Sequence, residues 1–189
     1  MEPPIRENLR SFLAAGTWLC ETSVKWGWTL SMRVTTYLCD TLPPVEYISS
    51  VRTILFREET VLVVTNHEGE KYILPGGTVE EGESPMETLY REVLEEVGWT
   101  IRNTKLLGYM HFHHQGARPE NYGYPYPDFI WPVYIAEADE FRPQAIQPDD
   151  FVASSVFSPV KEVEKMSLDD QGEILLFKAA LKLRRGATL

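Results

Sequence analysis

Residues 71–99, KYILPGGTVEEGESPMETLYREVLEEVGW, constrain this chain more than any other stretch, because they specify both ends of one helix. Ser84 is a good N-cap, Pro85 falls at the first helical position, and Glu87 stands three residues after the cap, as a capping box requires. Gly98 ends the helix as a left-handed C-terminal residue would. Residues 71–74 read as a short strand leading in, and residues 75–83 as an acidic, glycine-bearing loop. Met86, Leu89, Val93 and Val97 recur at three- and four-residue spacing, which predicts the buried stripe.

Glu92, Glu95 and Glu96 occupy the neighbouring face, where residues three and four apart lie side by side. Three like charges on adjacent turns repel, and in the last two turns they also oppose the helix dipole. Each effect costs a few tenths of a kcal/mol, up to ~1. Arg91 relieves part of this through its i+4 neighbour Glu95. From residue 80 to residue 96 there are seven acidic side chains and one basic, a net of −6 within a chain total of −10. Solvation accounts well for an isolated glutamate pair. A hard divalent cation accounts better for this concentration, and Mg²⁺, which keeps waters and substrate phosphates, suits three glutamates and a backbone carbonyl.

Gly77, Glu83 and the run 91–99, Arg-Glu-Val-Leu-Glu-Glu-Val-Gly-Trp, together resemble the Nudix box along its whole length. Seven identities at fixed spacing agree by chance on the order of 10⁻⁸ per starting position. The one departure is Trp99, where the box usually ends in an aliphatic residue. The resemblance covers residues 77–99 directly and implies, over roughly residues 48–185, an α/β fold: a Nudix-type α/β/α sandwich with a mixed β-sheet. It also implies a metal-dependent pyrophosphohydrolase using Mg²⁺ or Mn²⁺, in which water attacks a phosphoanhydride of a nucleoside diphosphate-linked substrate (a nucleoside di- or triphosphate or a derivative). The signatures downstream of the box that mark the ADP-ribose, NADH and coenzyme A branches are not seen, so a nucleoside di- or triphosphate is the expected substrate. Carried over by position, Glu92, Glu95 and Glu96 resemble the metal-binding glutamates and the Gly77 carbonyl resembles the backbone ligand. Glu92 is also the candidate general base, and Arg91 and Glu83 resemble the residues that orient the carboxylates. A further acid often joins from a downstream loop, for which Glu120, Asp128, Asp149 and Asp150 stand as candidates. The rival reading is a Nudix-fold nucleotide-binding sensor or scaffold without hydrolysis. Such proteins usually show eroded boxes, whereas every charged position is kept here.

At 189 residues and 43% hydrophobic content the chain can bury a substantial core as one domain. A net charge of −10 with no basic stripe argues against extended nucleic acid, including capped RNA, so a small nucleotide is the expected partner. Cys20 and Cys39 form neither a disulfide framework nor a zinc-type pair, which favours a reducing, cytoplasmic setting. Residues 11–20 follow two arginines, but Glu2 and Glu7, the short apolar run and the lack of a cleavage site argue against a leader. No stretch approaches the ~18 apolar residues of a membrane span.

Residues 1–46 read as an N-terminal extension, largely helical, with Leu9, Leu13, Gly16, Cys20 and Val24 as a stripe broken near Trp26-Gly27-Trp28. Residues 34–38 are β-branched and aromatic enough for a strand, and residues 41–44 form a linker. Trp18, Trp26 and Trp28 need burial, against the parent domain or at a homodimer interface. Residues 47–189 are expected to form the domain that the Nudix resemblance implies. Strands are expected at 51–56 and 61–66 (a hairpin), 71–74, 104–113, 129–136 and 152–157, and helices at 159–166 and 169–184. Lys71 and Arg118 are candidate phosphate contacts. Tyr122, Tyr124 and Tyr126 are candidate base-stacking surfaces, and Phe129 and Trp131 either stack with them or pack in the core. His111 and His113 share one strand face, but spacing identifies no further metal ligand. With His114 they are expected to be solvated or substrate-facing.

Overall fold

The hairpin expected from spacing forms between β3 (Arg52–Arg57) and β4 (Thr60–Asn66). The computed structural model of the chain describes residues 3–26, 30–120, 122–148, 151–168 and 170–186. Gly27, Trp28, Asp149, Asp150 and Asp169 therefore lie outside the described residues, as do the readings that rest on them. The remaining elements are α1 (Glu7–Ala15), β1 (Thr17–Trp26), β2 (Leu30–Leu38), β5 (Lys71–Tyr72), α2 (Pro85–Val97), β6 (Trp99–His114), β7 (Asp128–Phe141), β8 (Val152–Pro159), α3 (Val160–Val163) and α4 (Gln171–Arg184). One mixed sheet runs β1-β2-β6-β7-β3-β4-β5, with β8 against β4; β3 and β7 are parallel and the other pairs antiparallel.

Alternation sorts the strand residues into two cores. Leu55, Leu62, Val64, Tyr134 and Ala136 meet Leu89, Val93 and Val97 of α2. On the other face Ile54, Phe56, Val61, Phe129 and Val133 meet Leu176, Phe177 and Ala180 of α4. Helices on both faces of a mixed sheet make the expected α/β/α sandwich. The ends of α2 are as expected: Ser84 and Glu87 form both hydrogen bonds of a capping box, and Gly98 is left-handed at φ 75°.

The N-terminal extension departs from its reading. Among its described residues the α-helix covers Glu7–Ala15 alone, with Leu9 and Leu13 buried against Tyr109 and Ile130, whereas Cys20 and Val24 lie on β1; the strand expected at 34–38 forms as part of β2. An even spacing of four fits a strand face as well as a helix turn. Pairing decided the matter, because β2 joins β6 from Met32↔His114 to Leu38↔Gly108 and β1 joins β2. The same pairing corrects the reading of the histidines. With β6 flanked by β2 and β7 at this end, His111, His113 and His114 are at most 2% exposed rather than solvated.

The sheet splits where the site lies. At Val64, β4 pairs with β8 on one edge and β5 on the other, so β3 and β4 stay paired only at their hairpin end. The freed edge of β3 is taken by the loop after β5: Val51 N–H donates to Gly77 O (2.9 Å), Thr53 N–H to Pro75 O (3.0 Å), and Val79 N–H to Ser49 O (3.1 Å). This backbone pairing lays residues 75–79 along β3 and in front of α2.

Candidate active site

Gly76 and Gly77 let this loop pass close to its neighbours. Gly76 sits at φ 137°, where a Cβ would overlap the Val51 carbonyl, and a Cβ at Gly77 would overlap the Glu92 carboxylate. Glu92 is therefore pressed against the loop. Its Oε1 accepts from Arg91 Nη1 (2.9 Å), and its Oε2 has no hydrogen-bond donor among the described residues. Burial raises the Glu92 pKa, against the pull of Arg91 and Arg52. One turn on, Glu96 is tied down at both oxygens, by the Tyr72 hydroxyl (2.9 Å) and the Gly76 N–H (2.6 Å). Glu95 turns the other way, accepting from Gln147 Nε2 (2.7 Å) and Arg91 Nη1 (3.2 Å).

Arg91 organises this face. Its Nε and Nη2 grip Glu83 at 2.7 and 2.8 Å in a two-pronged pair, Nη2 also reaches Thr78 O (3.1 Å), and Nη1 spans Glu92 and Glu95. The guanidinium pulls the Glu83 pKa down to about 2 from 4.5, helped by the Thr88 hydroxyl. One cation thus aligns three carboxylates, the arrangement that relieves the repulsion foreseen on this helix.

Glu92 and Glu96 line a cavity of about 760 Å³ in the split of the sheet, together with Arg52, Lys71, Tyr72, Gly77, Met110, Trp131, Glu70, Asp170 and Glu173. The donor set fits a hard divalent cation: two carboxylates, one with an open oxygen and a charge that burial disfavours. The Gly77 carbonyl is already taken by Ser50 Oγ (2.5 Å) and Val51 N–H (2.9 Å), so ligation there requires the Ser50 hydroxyl to turn away. Glu95 does not line the cavity.

Of the substrate candidates, Lys71 lines the cavity, while Arg118, Tyr122, Tyr124 and Tyr126 do not. The loop bearing them is knit to itself: Arg118 donates to Tyr122 O (3.3 Å), Tyr126 to Gly116 O (2.7 Å), and Tyr122 pairs with His114 (2.7 Å). Tyr124 stacks on buried Phe129 (5.8 Å), whose ring lies flat on Phe112 (4.7 Å), so Phe129 packs in the core. Trp131 is half-buried, between Phe112 (4.4 Å) and the Arg52 guanidinium, 4.6 Å over its ring. Arg52 is absent from the sequence reading, although an arginine beside the apolar run Ile54–Phe56 was the signal. Burial lowers its pKa while Glu96 and Glu92 favour its charge. Glu173, also absent from the sequence reading, lies on α4, is 4% exposed and accepts from the Ile73 N–H.

Of the downstream acids, Glu120 is exposed in the self-knit loop. Asp128 is 1% exposed, and its Oδ1 meets His111 Nε2 (2.8 Å) and His113 Nδ1 (2.7 Å). Burial raises the Asp128 pKa, but those two hydrogen bonds prevail and hold it below the usual carboxylate value.

The NUDIX domain model matches residues 46–180. A stretch of 82 residues is 37% identical to YjhB of Bacillus subtilis (strain 168), named as a candidate ADP-ribose pyrophosphatase, and covers 43% of this chain. The chain spans 39% of that relative's length. Among solved structures, the pyrophosphohydrolase BsRppH of Bacillus subtilis matches with a TM-score of 0.54 at 18% identity, over 88% of this chain and 98% of the other. A NUDIX hydrolase from Nitrosomonas europaea matches with a TM-score of 0.53 at 18% identity, over 74% and 90%. These likenesses speak for the fold. With the domain model spanning most of its length and every charged box position kept, the chain belongs to the NUDIX family.

Proposed function

We propose that the chain is a divalent-metal-dependent pyrophosphohydrolase that cleaves a phosphoanhydride in a nucleoside diphosphate linked to a hydroxyl-bearing group. One observation carries this reading: the anionic pair Glu92 and Glu96 shares a single cavity with the cations Arg52 and Lys71. A diphosphate needs both, cations against its oxygens and carboxylates to hold its counter-ion. Glu92 and Glu96, joined by Glu95 and the Gly77 carbonyl after modest turns of side chains, would hold Mg²⁺ or Mn²⁺. When bound, that ion supplies neutralisation of phosphate oxygens and acidity for water. Glu92, whose pKa burial raises, is the residue here best suited to accept the proton of the attacking water. Arg91 and Glu83 keep the carboxylates aligned, and Arg52, braced over Trp131, and Lys71 bind phosphate oxygens.

The further acidic residues lining the cavity support a sugar-linked substrate over a bare triphosphate. Glu70, Asp170 and Glu173 also line it, and carboxylates accept from hydroxyl groups while their charge repels further phosphates. The likeness to YjhB, named for ADP-ribose, supports the same class. The test is a panel of nucleoside diphosphate sugars and nucleoside triphosphates assayed for product with Mg²⁺ or Mn²⁺. Turnover of a diphosphate sugar that Glu92→Gln or Glu96→Gln abolishes is the expected result. Binding without turnover by the wild-type chain would instead mark a nucleotide sensor, and turnover of triphosphates alone would overturn the substrate class.

A further inference from the structure

Asp128 is doubly buried in a chemical sense: the residue is closed to solvent, and one carboxylate oxygen carries both of its hydrogen bonds. Oδ1 takes His111 and His113, whereas Oδ2 is buried without a hydrogen-bond partner. Buried carboxylate oxygens are ordinarily satisfied, so an orphan one calls for a partner, an ordered water or an ion. The side chains around it are grouped closely enough to hold a metal ion. His111 and His113 alternate onto one face of β6, and Asp128 stands directly across from His113 in the antiparallel register with β7. One donor atom from each of the three lies within 4.8 Å of the other two.

We propose that His111 Nε2, His113 Nδ1 and Asp128 form a second metal centre, separate from the glutamates of α2, that takes a divalent transition ion of the zinc type. Two imidazoles and one carboxylate form a borderline donor set that favours such an ion over Mg²⁺, which prefers oxygen. To ligate through these atoms, each imidazole gives up any proton held between its nitrogen and Oδ1, to its other ring nitrogen or to solvent, and offers the freed lone pair. The ion then meets both carboxylate oxygens' demand for a positive partner. Arg33, opposite His113 in the β2 register, is the cation nearest in register, and it pairs with Glu21 at 3.7 Å. The centre has a structural task within reach. His113 and Asp128 stand at the two ends of the loop 115–127 that carries Tyr122, Tyr124 and Tyr126, so an ion bridging them ties that loop shut at its base.

The experiment uses the full chain, stripped of metal by chelation and held in excess Mg²⁺ so that oxygen-only sites are filled. Titration with Co²⁺ should give one equivalent with a visible d–d spectrum, displaced by Zn²⁺. The histidine ¹⁵N shifts should report ligation through Nε2 of His111 and Nδ1 of His113. Glu92→Gln with Glu96→Gln should leave this binding intact, which separates it from the hydrolytic reading. Asp128→Asn, close in shape, should weaken it at least 100-fold. Should that variant fail to fold, the wild-type spectrum and shifts still decide. Wild-type chain that gives no d–d spectrum and no histidine shift change in Co²⁺ or Zn²⁺ would show a hydrogen-bonded trio only and overturn the proposal. So would binding that disappears with the α2 glutamates.

Discussion

The carboxylate face of α2, packed on the sheet, and the His111–His113–Asp128 trio, on two of its strands, solve opposite problems. On α2, negative charge is crowded, partly exposed and held in order by one arginine that touches Glu83, Glu92 and Glu95. In the trio, a single carboxylate is closed off from water and shared by two histidines, with one oxygen left over. The first cluster comes from a contiguous stretch of sequence. The second is assembled by strand pairing, which brings Asp128 to histidines 15 and 17 positions before it. Crowding can be read from spacing along one helix; desolvation cannot, because it depends on which distant strands close over the site.

The comparison breaks most sharply at Glu96. Glu96→Gln is expected to leave the melting transition in place while turnover falls by more than the roughly 100-fold that outer-lying partners of metal ligands reach. Steady-state kinetics beside a melting curve would check this, and wild-type-like turnover would remove Glu96 from the site. Arg91→Lys comes next, at roughly 10- to 100-fold in activity, because a point charge cannot hold Glu83 by two prongs and still reach Glu92. Asp128→Ala should act in the opposite currency. With two buried imidazole donors left unpaired, it is expected to cost about 1–3 kcal/mol of stability by denaturant titration.

A smaller effect separates the clusters by pH. Glu83 titrates at about 2 in the folded chain against 4.5 ordinarily, so its pairing with Arg91 contributes stability that is fully present above pH 4.5. That contribution is lost as pH falls through about 2. Glu83→Gln should therefore be less stable than wild type above pH 4.5, with the two converging near pH 2 in acid unfolding curves. The smallest effect is expected at Trp18, which is 60% exposed on β1. Trp18→Ser should change stability by no more than about 0.5 kcal/mol, unless that face is covered by a second copy of the chain.

The fold's centre was legible because local signals agreed there. The capping box at Ser84 and Glu87, the apolar stripe through Leu89 and Val93, and the β3–β4 hairpin all specify local structure regardless of what packs on them. The β1–β2 hairpin was not legible, since Cys20 and Val24 suit helix and strand alike until β6 supplies a partner. The misreading carried over to the histidines, whose burial follows from that same pairing. Arg52 and Glu173 escaped for a related reason: each is a charge amid apolar residues, and only the split between β3 and β4 shows the cavity that both face.

Thermal unfolding against Mg²⁺ concentration asks whether Glu92 and Glu96 grip a divalent ion. At a hundredfold excess over its dissociation constant, a bound ion adds ~2.7 kcal/mol. For a chain of this size that is a rise in Tm of roughly 5–10 °C. The account predicts that rise in the wild-type chain and none when Glu92→Gln and Glu96→Gln are combined. A wild-type Tm indifferent to millimolar Mg²⁺ and Mn²⁺ would contradict it.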